Sequence, residues 1–247
     1  MRVFSRQAFY AAAPFGVSAF WCGLWIAAER YPSEYDWRYM TISSLLYPDR
    51  NPDGYRWAWG GVALCGLGGL CWIGAEFYGR RCSTAADRPA GIWALGFGYI
   101  CMICCALLPA RFLHIQRSHD ILALCAFVAV CFGTVHLTYH AVDRALRRRA
   151  RRFPGSPRLY ACVIAAAALF PILLLSITQT YVSRALPQLP WVGLEWREQG
   201  VPAYLSFALW EWVACVVLSV YTSTLSILNP DARSVNGVTH PGSPPEL

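Results

Sequence analysis

The stretch from Arg111 to Arg152 decides the fold: RFLHIQRSHD, then ILALCAFVAVCFGTVHLTYHAV, then DRALRRRARR. Its middle part, residues 121–142, contains no formally charged residue. As an α-helix this part would be about 33 Å long, enough to cross a bilayer core of about 30 Å. The arginine-rich part that follows favours the cytoplasmic side, because basic loops stay inside. The stretch therefore predicts a polytopic membrane protein and its orientation.

The composition supports this class. The chain is 56% hydrophobic and 14% charged, whereas soluble domains carry about 25% charged residues. The formal charge of +7 comes entirely from arginine, and a third of the arginines lie between Arg144 and Arg158. Topology explains that block, so we predict no nucleic-acid partner. Anionic lipid headgroups are the expected partner of this loop.

Cysteine usage indicates packing. The 11 cysteines fall mainly within apolar runs, where a free thiol behaves as a small hydrophobic group. An odd number, with none in the predicted outer loops, argues against a disulfide framework.

Six apolar runs predict an all-α, polytopic membrane helical bundle with six transmembrane helices and both termini inside. The predicted spans cover residues 8–28, 57–78, 91–110, 121–142, 160–182 and 203–228. Residues 229–247 are rich in Pro, Gly and Ser, which predicts a disordered cytoplasmic tail. On this plan 13 of the 21 arginines lie inside, which is the expected bias.

Polar residues on the predicted outer side are candidates for a site. The long loop 31–56 includes a turn at Asn51 and a short apolar segment, residues 40–47, that favours a small helix. Glu211 lies roughly 12 Å below the outer edge of the last span. A carboxylate at that depth costs a few kcal/mol or more unless it is paired or protonated. The candidate catalytic residues are His119, Asp120, Glu211 and Ser43, and the candidate substrate-binding residues are Asp36, Arg38, Ser44, Arg111 and His114.

Structural interpretations of the same residues stay open. Glu211 could hydrogen-bond a neighbouring helix and have no other role. Ser118 or Asp120 could cap the fourth helix, where a carboxylate is favourable near the positive end of the helix dipole.

A second group is expected near the inner surface. His136 and His140 are four residues apart, which places two imidazoles on one helical face. With Glu76 they form a possible zinc site, so the cofactor prediction is either none or zinc. The sequence lacks the H-E-x-x-H pattern of metalloproteases. Histidines hydrogen-bonded at the membrane interface are the alternative.

Three stretches together resemble one family, the damage-regulated autophagy modulator (DRAM)/Frag-type six-span proteins and their bacterial relatives. Residues 41–46, TISSLL, resemble the family's I-S-x-L-G motif, with Leu46 in place of the glycine. His119-Asp-Ile-Leu-Ala is similar to the family's outer histidine before a small-residue helix, and Trp210-Glu211-Trp212 resembles its E-W motif. The resemblance implies Ser43, His119 and Glu211 as characteristic polar residues, and for the family's eukaryotic members it implies a role in membrane lipid homeostasis or remodelling. Separately, we expect an integral protein of a bacterial inner (plasma) membrane.

Three functions are compatible with these patterns. The first is a lipid-handling protein with a polar pocket on the extracytoplasmic side. In its enzymatic version His119 or Asp120 is the general base, and Ser43 or Ser44 is the nucleophile or ligand holder. The second is a non-catalytic scaffold or regulator. The third is an intramembrane zinc-dependent lipid hydrolase that resembles alkaline ceramidases. The sequence leaves open whether the protein is an enzyme and what its oligomeric state is.

Overall fold

The computed structural model describes residues 4–80, 89–107, 118–148 and 194–227, with Leu174, Ile177, Tyr181, Arg184 and Ala185 as isolated positions. The four described ranges are helical, with loops between the helices and no strand. The helices are α1 (Phe4–Glu29), α2 (Ile42–Leu46), α3 (Tyr55–Arg80), α4 (Pro89–Leu107), α5 (Ser118–Arg148), α6 (Glu195–Glu198) and α7 (Phe207–Ile227). A single 3-10 turn, Ala203–Leu205, precedes α7.

Five of these helices are long and apolar enough to cross a membrane: Phe9–Glu29, Tyr55–Phe77, Ala90–Leu107, Ile121–His140 and Phe207–Thr224. They correspond to five of the six predicted spans and indicate an integral membrane protein. The remaining predicted span, 160–182, falls almost entirely outside the described residues, and so does the predicted tail.

Neighbouring long helices run antiparallel. Gly23 near the end of α1 lies against Gly61 near the start of α3, and Gly98 of α4 lies against Val130 of α5. The starts of α3 and α7 therefore share one end of the bundle with α2, and we call this the cap end. The opposite end is the arginine end, because the last turns of α5 carry Arg144 there.

Small residues allow α1 and α3 to pack with their backbones in close contact. A Cβ at Gly61 would lie 2.9 Å from the Ala19 carbonyl oxygen, and one at Gly23 would lie 2.5 Å from the Trp57 carbonyl oxygen. Helices in lipid associate through such close packing, since no hydrophobic effect drives them together. The small-residue stripe Gly61, Cys65 and Gly69 predicts close helix contacts: Gly61 and Cys65 lie against α1, whereas Gly69 lies under the Tyr99 ring of α4.

The loop between α1 and α3 is fixed to the cap end by Asn51, which is fully buried. Its Nδ2 donates to the Ala27 carbonyl at 3.0 Å, and its Oδ1 accepts from the Gly54 N–H at 3.1 Å. The first bond satisfies a carbonyl at the end of α1, where no intrahelical partner exists. The short helix expected within residues 40–47 is confirmed as α2.

Several helix boundaries differ from the predicted spans, and two of the differences have a clear physical reason. The last predicted span begins at 203, but α7 begins at Phe207, because Ser206 caps it: the Ser206 Oγ accepts from the Ala208 N–H at 3.2 Å. Helix α5 extends past residue 142 to Arg148, so its helical path continues beyond the apolar segment Ile121–His140.

The packing predicts opposite effects at two adjacent glycines of α3. Gly61→Ala should lower stability by about 1–3 kcal/mol, since the new methyl group pushes α1 away. Gly60→Ala is the matched control, because nothing lies within 4 Å of a Cβ there. It should be neutral or stabilising by up to about 1 kcal/mol through helix propensity. Thermal unfolding in detergent micelles measures both, and equal melting temperatures would contradict the close contact.

Candidate functional site

Glu211 is joined to the first loop by one hydrogen bond. Its Oε2 accepts the backbone N–H of Ile42 at 3.1 Å. Ile42 is the first residue of α2, and the Thr41 side chain before it makes no capping bond. Glu211 therefore caps α2 from another helix, and a carboxylate is favourable at that position. This hydrogen bond to another helix is the contact that we expect if Glu211 has a structural role.

The carbonyl groups beside this N–H are also held. Trp212 Nε1 donates to the Met40 carbonyl at 3.1 Å. The Tyr35 hydroxyl lies 3.0 Å from the Met40 carbonyl and 2.9 Å from that of Thr41, so its proton is shared between them. Burial, and next the charge of Glu211, raise the pKa of Tyr35, which keeps this hydroxyl a donor. Neither Trp212 nor Tyr35 was predicted as a site residue from the sequence. For Trp212, its position next to Glu211 in the chain was a signal that could have identified it.

The three hydroxyl residues around α2 form a small cluster. The Thr41 Oγ1 lies 2.8 Å from the Ser43 Oγ and 3.2 Å from the Ser44 Oγ. Ser44 is buried, and the Arg50 Nη1 reaches its hydroxyl only at 3.5 Å. Within the part of the chain that the structure describes, the hydrogen bond of the Ser43 hydroxyl is to Thr41 and not to a general base. The nucleophile role of Ser43 stays a prediction.

Asp36 is the centre of an ion-pair group at the surface of the loop. Its carboxylate accepts hydrogen bonds from the Nε and Nη2 of Arg38, both at 2.9 Å, and from the Nη1 of Arg197 at 3.3 Å. The hydrogen bond from Arg38 is the main reason that the pKa of Asp36 lies below its ordinary value. The Asp36 side chain is 3% exposed and that of Arg38 is 50% exposed. Arg38 is therefore the better placed of these two predicted binding residues to meet a ligand.

Two segments distant in sequence are joined here into one cover, residues 31–54 and 194–206, which we call the cap. Besides the bond of Arg197 to Asp36, the Tyr39 hydroxyl donates to the Val201 carbonyl at 2.8 Å. The Trp196 side chain is buried against Tyr39 and Val201. The cap closes over the end of α7 that carries Glu211.

An apolar groove runs along the bundle between α1 and α7. Two adjoining cavities of about 410 and 340 Å³ form it, and they share Trp21 and Val216. The larger cavity is lined further by Val17, Ser219, Val220, Ser223 and Thr224, and the smaller one by Trp37, Trp212, Val213 and Val217. Since Trp37 belongs to the cap, the groove extends from the middle of helices α1 and α7 to the cap end. No pattern in the amino-acid sequence indicates this groove.

For the other predicted site residues of the outer group, the described part of the chain shows no side-chain contact with Glu211 or the cap. Arg111 and His114 lie outside the described residues. His119 and Asp120 begin α5, but only their backbone is described, so their relation to Glu211 stays a prediction.

His136 and His140 are adjacent, with ring centroids 4.6 Å apart. The His136 Nδ1 is buried and has no hydrogen-bond partner among the described residues. Glu76 lies on α3, and the described ranges hold no group of three His, Cys, Asp or Glu side chains arranged as metal ligands. The zinc site stays a prediction.

The ion pairs of the cap predict a dependence on pH. A lowered pKa means that the Asp36 carboxylate stabilises the cap above its ordinary pKa, and that this contribution is lost as pH falls below about 4. Asp36→Asn should cost about 1–3 kcal/mol at neutral pH, because two guanidinium groups lose their acceptor. The protection of the amide hydrogens of residues 31–41, measured relative to the intrinsic exchange rate at each pH, should fall in this variant and, in the unaltered protein, at acid pH.

Glu34 provides the control for this prediction. It also pairs with Arg197, at 3.5 Å, but its side chain is 74% exposed. Glu34→Gln should therefore change exchange very little. Equal effects of the two substitutions would show that Asp36 is not what holds the cap.

The chain was compared with known proteins at three levels. No family model, no curated protein and no solved structure matches it. The resemblance to DRAM/Frag-type proteins consequently stays a prediction, and the functional argument depends on the residues described above.

Proposed function

We propose that this protein binds and handles a membrane lipid, with the acyl chain in the groove between α1 and α7 and the polar headgroup beside the cap. The observation that carries the proposal is the groove, because its lining is mainly apolar and its cap-side end is lined by the indole rings of Trp37 and Trp212. Its two cavities have volumes of about 410 and 340 Å³ and are open on one side, so an acyl chain would lie along the surface of the bundle.

The residues at the cap end fit a headgroup. Trp37 and Trp212 line the groove there, and indole rings are favoured at the level of lipid headgroups. Arg38 follows Trp37 in the chain and its side chain is half exposed. The Nε and Nη2 of Arg38 bond to Asp36, so a phosphate would meet the remaining N–H groups on Nη1 and Nη2.

In this proposal the protein has six spans with both termini in the cytoplasm of a bacterial plasma membrane. The arginine end is then cytoplasmic, the cap faces outward, and the segment from Arg144 to Arg158 meets anionic lipids. The arginine bias of the sequence supports this orientation.

A non-catalytic scaffold or regulator is the second candidate, and one observation favours it over an enzyme. Two of the four side chains expected to catalyse are engaged in hydrogen bonds: Glu211 bonds to the Ile42 N–H and holds α2, and Ser43 bonds to the Thr41 hydroxyl. Lipid binding is common to both candidates, so the test of the groove applies to both.

Filling the groove should expel the lipid. Val216 lines both cavities, so Val216→Trp should lower the fraction of protein that retains lipid in native mass spectrometry by at least about tenfold, a change of about 1.4 kcal/mol. Val128→Trp is the matched control, because Val128 on α5 is 56% exposed and outside the groove. Retention of the same lipids by both variants would contradict the proposal.

The orientation has its own test. A reporter enzyme active only in the cytoplasm, fused after Arg152, should be active, because the positive-inside rule holds that block inside. The same reporter fused after Asn51 in the cap should be inactive. The reverse pattern would place the groove and cap at the other membrane surface.

A further inference from the structure

The groove between α1 and α7 is divided into two cavities near the middle of the membrane span. The cavities meet at Trp21 and Val216, which line both of them. Trp21 belongs to the span Phe9–Glu29 and Val216 to the span Phe207–Thr224, and each lies within about 5 Å of the centre of its span. We call the cavity that reaches Trp37 the cap-side cavity and the other one the arginine-side cavity.

The Trp21 side chain crosses the groove where the two cavities meet. Its Nε1 donates a hydrogen bond to the Ser219 Oγ at 3.1 Å, so the indole reaches from α1 to α7. A connection at this depth favours one occupant in each half of the groove over a single chain along its whole length. Each half corresponds to one leaflet, because a leaflet contributes about half of a hydrocarbon core of about 30 Å.

The two cavities differ in the chemistry of their linings. The cap-side cavity is lined by tryptophan and valine side chains, whereas the lining of the arginine-side cavity includes the hydroxyl groups of Ser219, Ser223 and Thr224. Ser223 and Thr224 follow Val216 by two turns of α7, which places them about 10–12 Å from the centre of the span. This depth is near the edge of the hydrocarbon core, where the ester carbonyl groups of glycerolipids lie.

The hydroxyl groups of Ser223 and Thr224 are available to a ligand. Neither makes a side-chain hydrogen bond within the described residues, although Ser223 provides a backbone carbonyl to Ser226. By contrast, the Ser18 hydroxyl on α1 donates to the Pro14 carbonyl of its own helix at 2.9 Å. A hydroxyl without an acceptor is unfavourable in a bilayer, because hydrocarbon chains provide none. A lipid oxygen at this depth would supply the missing acceptor.

We propose that the arginine-side cavity is a second lipid site, which binds a diacyl glycerolipid from the leaflet at the arginine end. Its acyl chain lies in the cavity and points toward Trp21, and one of its ester carbonyls accepts hydrogen bonds from Ser223 and Thr224. This inference rests on the proposed function, because it assumes that the groove holds acyl chains. It adds a second lipid, of opposite direction, to the one whose headgroup lies beside the cap.

A neutral carbonyl oxygen suits this site better than a phosphate. Serine and threonine hydroxyls are uncharged donors, and the residues that line the arginine-side cavity carry no charge. The guanidinium group of Arg38, which suits a phosphate, lies at the cap end. The two ends of the groove therefore recognise different parts of a lipid.

The test compares two lipids that differ only in the proposed acceptor. One is a phosphatidylglycerol with ester-linked chains, and the other is its ether-linked analogue, which has the same headgroup and chain length and no carbonyl. The purified full chain is loaded with either lipid, and native mass spectrometry counts the bound molecules. We expect two bound molecules of the ester lipid. Retention of the second molecule should be lower for the ether lipid by about fivefold or more, as expected for a lost hydrogen bond.

Removing the donors should remove this preference. The double variant Ser223→Ala with Thr224→Val should retain the ester and ether lipids equally weakly at the second site. Ser18→Ala is the matched control, because its hydroxyl is bonded within α1 and lies outside the groove. It should keep both the count of two lipids and the ester preference.

Bulky substitutions assign each lipid to its cavity without depending on a hydrogen bond. Val220 lines only the arginine-side cavity, and Val213 lines only the cap-side cavity. Val220→Trp should reduce the count from two lipids to one and abolish the ester preference. Val213→Trp should also reduce the count to one, but the remaining lipid should keep the ester preference.

Three results would overturn the second site: a single bound lipid in the unaltered protein, equal retention of the ester and ether lipids, or a preference that the double variant leaves intact. The proposed function survives any of them if Val216→Trp still expels lipid. If Val216→Trp and Val220→Trp both retain every lipid, the proposed function fails and the second site fails with it.

Discussion

The hydrogen bond between the Glu211 carboxylate and the Ile42 N–H is the interaction on which the cap depends. A carboxylate among apolar helices must find a donor, because lipid offers none. The first N–H of a helix must find an acceptor, because no residue of its own helix can provide one. Each group meets the requirement of the other. The short helix α2 is consequently held at the end of α7, although the two lie far apart in the chain.

The residues around this bond extend its effect. Trp212 donates a hydrogen bond to the Met40 carbonyl, and the Tyr35 hydroxyl is shared between the Met40 and Thr41 carbonyls. The backbone that leads into α2 is therefore held at its carbonyl groups as well as at the Ile42 N–H. Asp36 then joins the loop to Arg197. The cap is thus tied to α7 by a buried contact and to the segment before α7 by a surface contact. Because Trp37 and Trp212 also line the groove, the position of the cap decides how the groove ends.

Some of this architecture could be predicted from residue type and spacing alone. Long uncharged runs predicted the membrane helices, and the glycines of α3 predicted a close helix contact. Glu211 was recognisable because an acid in such a run is unusual. Its partner was not recognisable, because a backbone N–H leaves no trace in the sequence. Arg197 lies 161 residues from Asp36, and no local pattern indicates which surface charge meets which.

The groove escaped prediction for a related reason. The residues of α1 and α7 that line it have the composition of any lipid-facing helix, so only the separation of the two helices reveals the space. The Trp21 Nε1 donates to the Ser219 Oγ at 3.1 Å across that space. An indole of this length between the helices keeps their backbones apart, whereas the glycines of α1 and α3 bring theirs together.

The polar side chains of the cap have consequences for how mutations are interpreted. Ser43 and Glu211 were selected as catalytic candidates and Asp36 as a binding candidate, yet each makes a hydrogen bond within the cap or to it. Removing any of them alters the cap whether or not it touches a substrate, so loss of function at these positions does not identify a catalytic group. Val216 differs, because an aliphatic side chain makes no hydrogen bond and acts only through the space it fills. Substitutions at the aliphatic groove residues therefore separate ligand binding from support of the cap, whereas substitutions at the polar residues, or at Trp212, cannot.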